Sequence, residues 1–141
     1  MTTAINLQSE TPSRYQAKQS FVDVKGMRFC VEERGDPLGP PIMLIMGLAC
    51  QMTHWPESLL DGLAEQGYRV IRFDNRDIGL SHKASSSFRV NTRLAYLAHK
   101  LGRHPEANYT LHDMANDTAN LISALEIEHA HIVGVSMGGM I

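Results

Sequence analysis

The sequence predicts an α/β fold, a β-hairpin followed by parallel strands with helices on both faces of the sheet. Three observations predict it. Short runs at residues 42–46, 68–74 and 130–134 are built around apolar, largely β-branched or aromatic side chains and suit buried strands. Between them stand segments whose apolar residues recur every three or four positions, as one face of a helix does. Strands that alternate with helices need right-handed crossovers, and these make the strands parallel and put helices on both faces.

The elements follow in order. Residues 1–20 read as a flexible polar arm, and the first nineteen lack the apolar core of a secretory signal. Residues 21–25 and 27–32 alternate apolar and polar positions, through Val22 and Val24 and then Met27, Phe29 and Val31. Lys25-Gly26 between them can close a hairpin. Arg34-Gly35-Asp36-Pro37 ends the second strand. The first three of these residues spell an adhesion signal of secreted proteins, but a turn before Pro37 accounts for them. Residues 42–46 form a continuous apolar run. Residues 56–66 read as a helix with Pro56 in its first turn, Trp55, Leu59, Leu60 and Leu63 as its buried stripe, and Gly67 as its stop. Residues 68–74 are the next strand, with a core of Val70, Ile71 and Phe73. A polar loop spans 74–87. Residues 91–101 carry a helical stripe of Leu94, Leu97, Ala98 and Leu101. Thr110-Leu111-His112-Asp113 resembles a capping box with Asp in the usual Glu position. It opens a helix that carries Leu111, Met114, Ala115, Thr118, Leu121, Ile122 and Leu125 at helical spacing.

Composition narrows the function. The 141 residues suffice for one domain with a core, and the hydrophobic and charged fractions of 43% and 20% are those of a soluble globular protein. A net charge of −2 points to neither nucleic acid nor an anionic membrane as partner. No apolar run has the length of a membrane span. Cys30 and Cys50 form no motif and read as reduced thiols, so a cytosolic protein is expected.

The last strand runs directly into Gly134-Val135-Ser136-Met137-Gly138. A G-x-S-x-G directly after a strand is the pattern of a nucleophile elbow, where the chain turns sharply into a helix and lifts the serine hydroxyl above the sheet. The flanking glycines let backbone pass close by without a Cβ in the way.

Three pieces in this order carry a resemblance. They are Ile45-Met46-Gly47-Leu48, the stretch Phe73-Asp74-Asn75-Arg76-Asp77-Ile78-Gly79-Leu80-Ser81, and His131-Ile132-Val133-Gly134-Val135-Ser136-Met137-Gly138-Gly139. From residue 21 onward the chain resembles the α/β-hydrolase fold family. Within it the chain looks most like the aclacinomycin methylesterase-like group of serine ester hydrolases. It departs from many members in having Met46 before Gly47, where they have His, and Asp77 where they have Gly.

The resemblance implies that residues 21–141 form the N-terminal half of an α/β-hydrolase domain, ending after the elbow. It implies Ser136 as nucleophile, with the backbone N–H groups of Leu48 and Met137 as the oxyanion hole. It implies a small-molecule ester substrate, an acyl-enzyme, and neither metal nor organic cofactor. The family's triad runs Ser, then Asp or Glu, then His. Five residues follow Ser136 and hold neither, so the chain by itself is expected to be an inactive fragment, completed by a C-terminal half. A carbon–carbon bond hydrolase or acyltransferase on the same scaffold, or a non-catalytic remnant or subunit of a split protein, would read alike.

Other residues read as structural. Asp74, Arg76 and Asp77 would fix their loop through turn hydrogen bonds and an ion pair. All seven histidines (His54, His82, His99, His104, His112, His129 and His131) precede the serine. His54 lies in the loop that could approach the elbow. His129 and His131 have strand spacing but no third ligand, and read as a solvated strand entrance. Met43, Met46, Met52, Met114 and Met137 read as core filler.

Overall fold

A computed structural model describes residues 15–84, 96–97, 100–102 and 107–141. The described residues include the strands β1 (Lys18–Val24), β2 (Met27–Gly35), β3 (Pro41–Ile45), β4 (Arg69–Phe73) and β5 (His131–Gly134), and the α-helices α1 (Glu57–Glu65) and α2 (Leu111–Ala124). The sheet order is β1-β2-β4-β3-β5. The hairpin β1–β2 is antiparallel and joins the rest through an antiparallel β2–β4 pair. β3 lies between β4 and β5 and is parallel to both, the arrangement that the alternating pattern predicts. β1 begins at Lys18, inside the expected arm; residues 1–14 of that arm lie outside the described residues.

β3 and β4 are buried on both faces, and their alternation divides the core. Met43, Ile45, Ile71 and Phe73 join Phe29, Val31, Leu121 and Ile127 on one face. Ile42, Leu44, Met46 and Val70 join Trp55, Leu60 and Ala64 on the other. Each fully buried side chain of this size contributes about 1.5–3 kcal/mol, so these two layers dominate the stability of the sheet. The rings of Phe29 and Phe73 meet edge-on, with centroids 6.4 Å apart.

The capping box forms as expected. Asp113 N–H donates to Thr110 Oγ1 at 3.2 Å, and the Asp113 carboxylate accepts the Thr110 N–H at 2.7 Å. The helix ends on Glu126, at φ 56°. There Glu126 N–H bonds to the Ser123 carbonyl and Ile127 N–H to that of Ile122, the two bonds of a Schellman closure.

Several expectations need correction. Leu59 is 40% exposed, and Ala64 takes its place in the stripe of α1. Leu111, the first residue of α2, is exposed. Leu97 and Leu101 are exposed because nothing among the described residues covers them; most of the remaining 91–101 segment lies outside those residues. The largest correction concerns β5. It was expected to be buried, yet Ile132 is 52% and Val133 38% exposed. The reason is position. β5 ends the strand order with β3 as its one neighbour, while α1 packs on β2 and β4 and α2 on β1.

The polar side of β2 is not solvated either. Glu32 and Arg34 are buried beneath α1, where Arg34 meets Glu57 at 2.6 Å and Asp61 at 2.7 Å. Glu32 stands directly across from Arg72 and pairs with it at 2.7 Å. Arg34 is thus enclosed by carboxylates, and the Arg34-Gly35-Asp36 tripeptide cannot present itself as an adhesion signal.

Candidate active site

β5 delivers Ser136 at the same end of the sheet where β3 delivers Gly47. The register Ile45↔Gly134 and the bond from Val135 N–H to the Ile45 carbonyl, at 3.1 Å, hold the two strand ends level. Ser136 then adopts φ 54° and opens a single 3-10 turn, Ser136–Gly139. That left-handed conformation costs a non-glycine residue roughly 1–2 kcal/mol, so the surroundings must enforce it. They do so through close backbone contact. A Cβ on Gly134 would strike the Gly138 carbonyl, and a Cβ on Gly138 would strike that of Ile45. Glycines at these two positions are what let the strand reverse so tightly.

Ser136 is exposed, and its hydroxyl has no hydrogen-bond partner among the described residues. Gly47 packs against it: a Cβ there would lie 3.3 Å from Ser136 Cβ and 3.2 Å from the Val135 carbonyl oxygen. Leu48, next in the chain, is 72% exposed. Met137 is half-buried, while Met43, Met46, Met52 and Met114 are core residues as expected. Among the described residues, the N–H groups of Leu48 and Met137 have no partner.

The loop after β3 is short and taut. Cys50 N–H bonds to the Gly47 carbonyl at 3.3 Å, and Ala49 sits at φ 58°. Residues at the end of β4 reach over to it. Asn75 Nδ2 donates to the Met46 carbonyl at 3.1 Å, and Asp74 Oδ1 accepts the Met52 N–H at 2.8 Å.

The β4 loop itself is held as the sequence suggests, by turn hydrogen bonds and an ion pair. Asp74 accepts the Leu80 N–H at 3.1 Å and Asp77 the Ala84 N–H at 2.6 Å. Arg76 forks onto Asp117 of α2, at 2.6 Å to each carboxylate oxygen, and lies over the Tyr109 ring. The hydrogen bond from Arg76 to Asp117 raises the guanidinium pKa against the opposing effect of burial. Burial, the hydrogen bond to Asp77 and the Asp77 charge push Tyr109 up to about 12. Asp117, Tyr109 and Asn75 were not singled out from sequence. Asp117 carried a signal: it falls on the apolar face of α2, between Met114 and Leu121, where a carboxylate needs a buried partner.

The described histidines do not gather at the serine. His54 is exposed and its Nδ1 faces the Gln51 carbonyl at 3.2 Å; no hydrogen bond joins it to Ser136. His131 lies edge-on to Tyr68, and an open cleft of about 260 Å³ beside His129, His131, Pro40 and Pro41 marks the opposite end of β5. Among the described residues no three metal-ligating side chains cluster. His99 and His104 lie outside those residues. Cys30 and Cys50 are free thiols, and burial together with the Asp74 charge pushes the Cys30 thiol up. No helix among the described residues is long and apolar enough to cross a membrane.

Comparison with known proteins places this geometry in context. A family model described as alpha/beta hydrolase fold matches residues 40–141. The chain is similar to rhodomycin D methylesterase DauP of Streptomyces sp. (strain C5), 31% identical over 107 residues that cover 76% of this chain and 30% of that one. It is similar to rhodomycin D methylesterase DnrP of Streptomyces peucetius, 29% identical over 110 residues, covering 78% and 31%. Among solved structures, a membrane phospholipase A described as a bacterial virulence factor shares the fold, with a TM-score of 0.68 at 24% identity over 87% of this chain and 33% of that one. The chain thus spans about a third of the length of the curated relatives it matches.

Proposed function

The chain belongs to the α/β-hydrolase fold family, and on that premise we propose that it carries the nucleophile and oxyanion hole of a serine ester hydrolase. One observation carries the reading. Ser136, the middle residue of the elbow, stands exposed in a left-handed conformation against Gly47, whose neighbour Leu48 offers an N–H that is unpaired among the described residues.

The chemistry follows from that placement. Ser136 Oγ attacks the carbonyl carbon of a carboxylic ester and passes its proton to a base. The carbonyl oxygen takes up the negative charge between the N–H groups of Met137 and Leu48. Collapse of the tetrahedral intermediate expels the alcohol, which leaves with the proton, and an acyl-serine remains. Water, deprotonated by the same base, attacks the acyl carbon and releases the acid and Ser136. We assign the base and its carboxylate partner to polypeptide that follows residue 141 in the same chain or docks as a second half. This accords with the family's order of serine, acid and histidine and with a relative about two and a half times as long. The similarity to rhodomycin D methylesterases favours a methyl ester, so that methanol leaves.

The test is phosphonylation. A fluorophosphonate should label the full reading frame on the peptide containing Ser136, and Ser136→Ala should abolish both labelling and methyl-ester hydrolysis, by on the order of a million-fold in kcat. Hydrolysis that survives Ser136→Ala would overturn the assignment.

A further inference from the structure

We propose that Asp74 and Asn75 are positioning residues for this reaction, fastening the loop of Gly47 and Leu48 so that the Leu48 N–H is a fixed donor above Ser136. The proposal rests on the serine-hydrolase reading given above.

The loop is bracketed from one place. Asn75 binds the carbonyl of Met46, immediately before Gly47, and Asp74 binds the N–H of Met52 on the far side. Arg72, on β4 just before them, donates to the Met52 carbonyl at 3.3 Å, so both backbone groups of Met52 are held from β4 and the residue that follows it. Asp74 and Asn75 are themselves buried. The five residues between the fasteners include Ala49 in a left-handed conformation, which persists only where the surroundings over-determine it.

Asp74 is in turn braced from behind. Ser81 Oγ donates to its carbonyl at 2.6 Å and accepts the Cys30 N–H at 2.9 Å, which ties the strand end to β2. Gly79 leaves the room its carboxylate occupies, since a Cβ there would collide with it. The second carboxylate oxygen is held by the Leu80 N–H. With its backbone carbonyl held by Ser81 and its other carboxylate oxygen by Leu80, Asp74 cannot follow a wandering loop, so the loop is held to it.

This matters because Leu48 has little else to hold it. Its side chain is exposed, and its N–H has no partner among the described residues. A donor stabilises an oxyanion best when it needs no reorganisation, and misplacement by about 1 Å can cost on the order of a hundredfold in rate.

The test uses the full-length protein with Asn75→Ala, Asp74→Ala, Asp74→Asn and Ser136→Ala. Amide exchange at Cys50 and Met52 and the kinetics of methyl-ester hydrolysis are the readouts. Asn75→Ala should speed exchange at both amides about tenfold or more and lower kcat about 10- to 100-fold with KM nearly unchanged, while β3 and β4 keep their protection. Asp74→Asn retains one of the two acceptor oxygens and should lose less kcat than Asp74→Ala. Asn75→Ala leaves Asp74 in place and decides the matter even if Asp74→Ala does not fold. Serine-dependent turnover that ignores Asn75→Ala, or an unchanged loop exchange, overturns the positioning role alone. Turnover that survives Ser136→Ala overturns the serine reading and this proposal with it.

Discussion

Arg76 and Asp117, 41 residues apart in sequence, meet in a two-pronged ion pair that joins the β4 loop to the middle of α2, at 2.6 Å on both prongs. Both side chains are largely buried, and the Tyr109 ring covers the guanidinium. Breaking such a pair from one side strands a buried charge, which costs about 3–5 kcal/mol. We predict that Asp117→Ala destabilises the protein by about 3 kcal/mol in urea unfolding, and that Arg76→Met combined with Asp117→Leu recovers most of that loss. A loss below about 1 kcal/mol for Asp117→Ala would mean that solvent already reaches the pair.

Tyr109 gives a pH prediction at the same junction. Its phenol is raised to about 12 from an ordinary 10 because burial and the Asp77 carboxylate favour the protonated form. A group with a raised pKa contributes stability that is fully present below 10 and is lost as pH rises from 10 through 12. Stability should therefore fall across that window more steeply in the wild type than in Tyr109→Phe. Phenolate absorbance of Tyr109, obtained by difference between the two proteins, should appear near 12; an ordinary midpoint would show that the Asp77 contact does not persist in solution.

Glu126 occupies the position after α2 where glycine is usual. Its φ of 56° costs roughly 1–2 kcal/mol for an L side chain. Glycine there removes that cost and adds about 0.5–1 kcal/mol of chain entropy to the unfolded state. Glu126→Gly should thus stabilise the protein by about 0.5–1 kcal/mol, seen as a higher midpoint in urea. The Schellman bonds to Ile122 and Ser123 use backbone alone and survive the change. A destabilised variant would mean that the Glu126 side chain contributes more than its strained backbone costs.

How much of this could be read from sequence differs by element. The runs at 42–46 and 68–74 announced β3 and β4 because a strand covered on both faces needs continuous apolar residues. The position of Ser136 was legible because G-x-S-x-G demands a backbone that only glycines on either side permit. Local pattern misleads where coverage is decided by distant elements. Glu32 and Arg34 sit at the polar positions of β2, yet α1 lays Glu57 and Asp61 over Arg34 and buries it. Ile132 and Val133 look like core, but side-chain type does not reveal how many neighbours a strand has. The fasteners of the Leu48 loop were hidden for a related reason: Asn75 acts on a backbone carbonyl 29 residues away, and a carbonyl leaves no mark in the sequence.

The exposed strand yields the last prediction. Ile132 shares register with Met43 and Val133 with Leu44, so β5 opens one apolar side chain on each face of the sheet. Val135 and Met140 extend that surface around the elbow. Among the described residues one edge of β5 also has unpaired N–H and C=O groups, since β3 is its single partner. An apolar strand edge of this kind recruits another strand or another copy of itself. The 141-residue polypeptide expressed alone should therefore run as dimers or larger species in size-exclusion chromatography with light scattering. Ile132→Lys with Val133→Lys should shift it toward monomer, because a lysine on each face keeps the edge in water. Under the proposed assignment, a second half of the hydrolase that covers β5 should have the same effect. A monodisperse wild-type monomer with cooperative unfolding would show that the five-stranded sheet is sufficient with β5 uncovered.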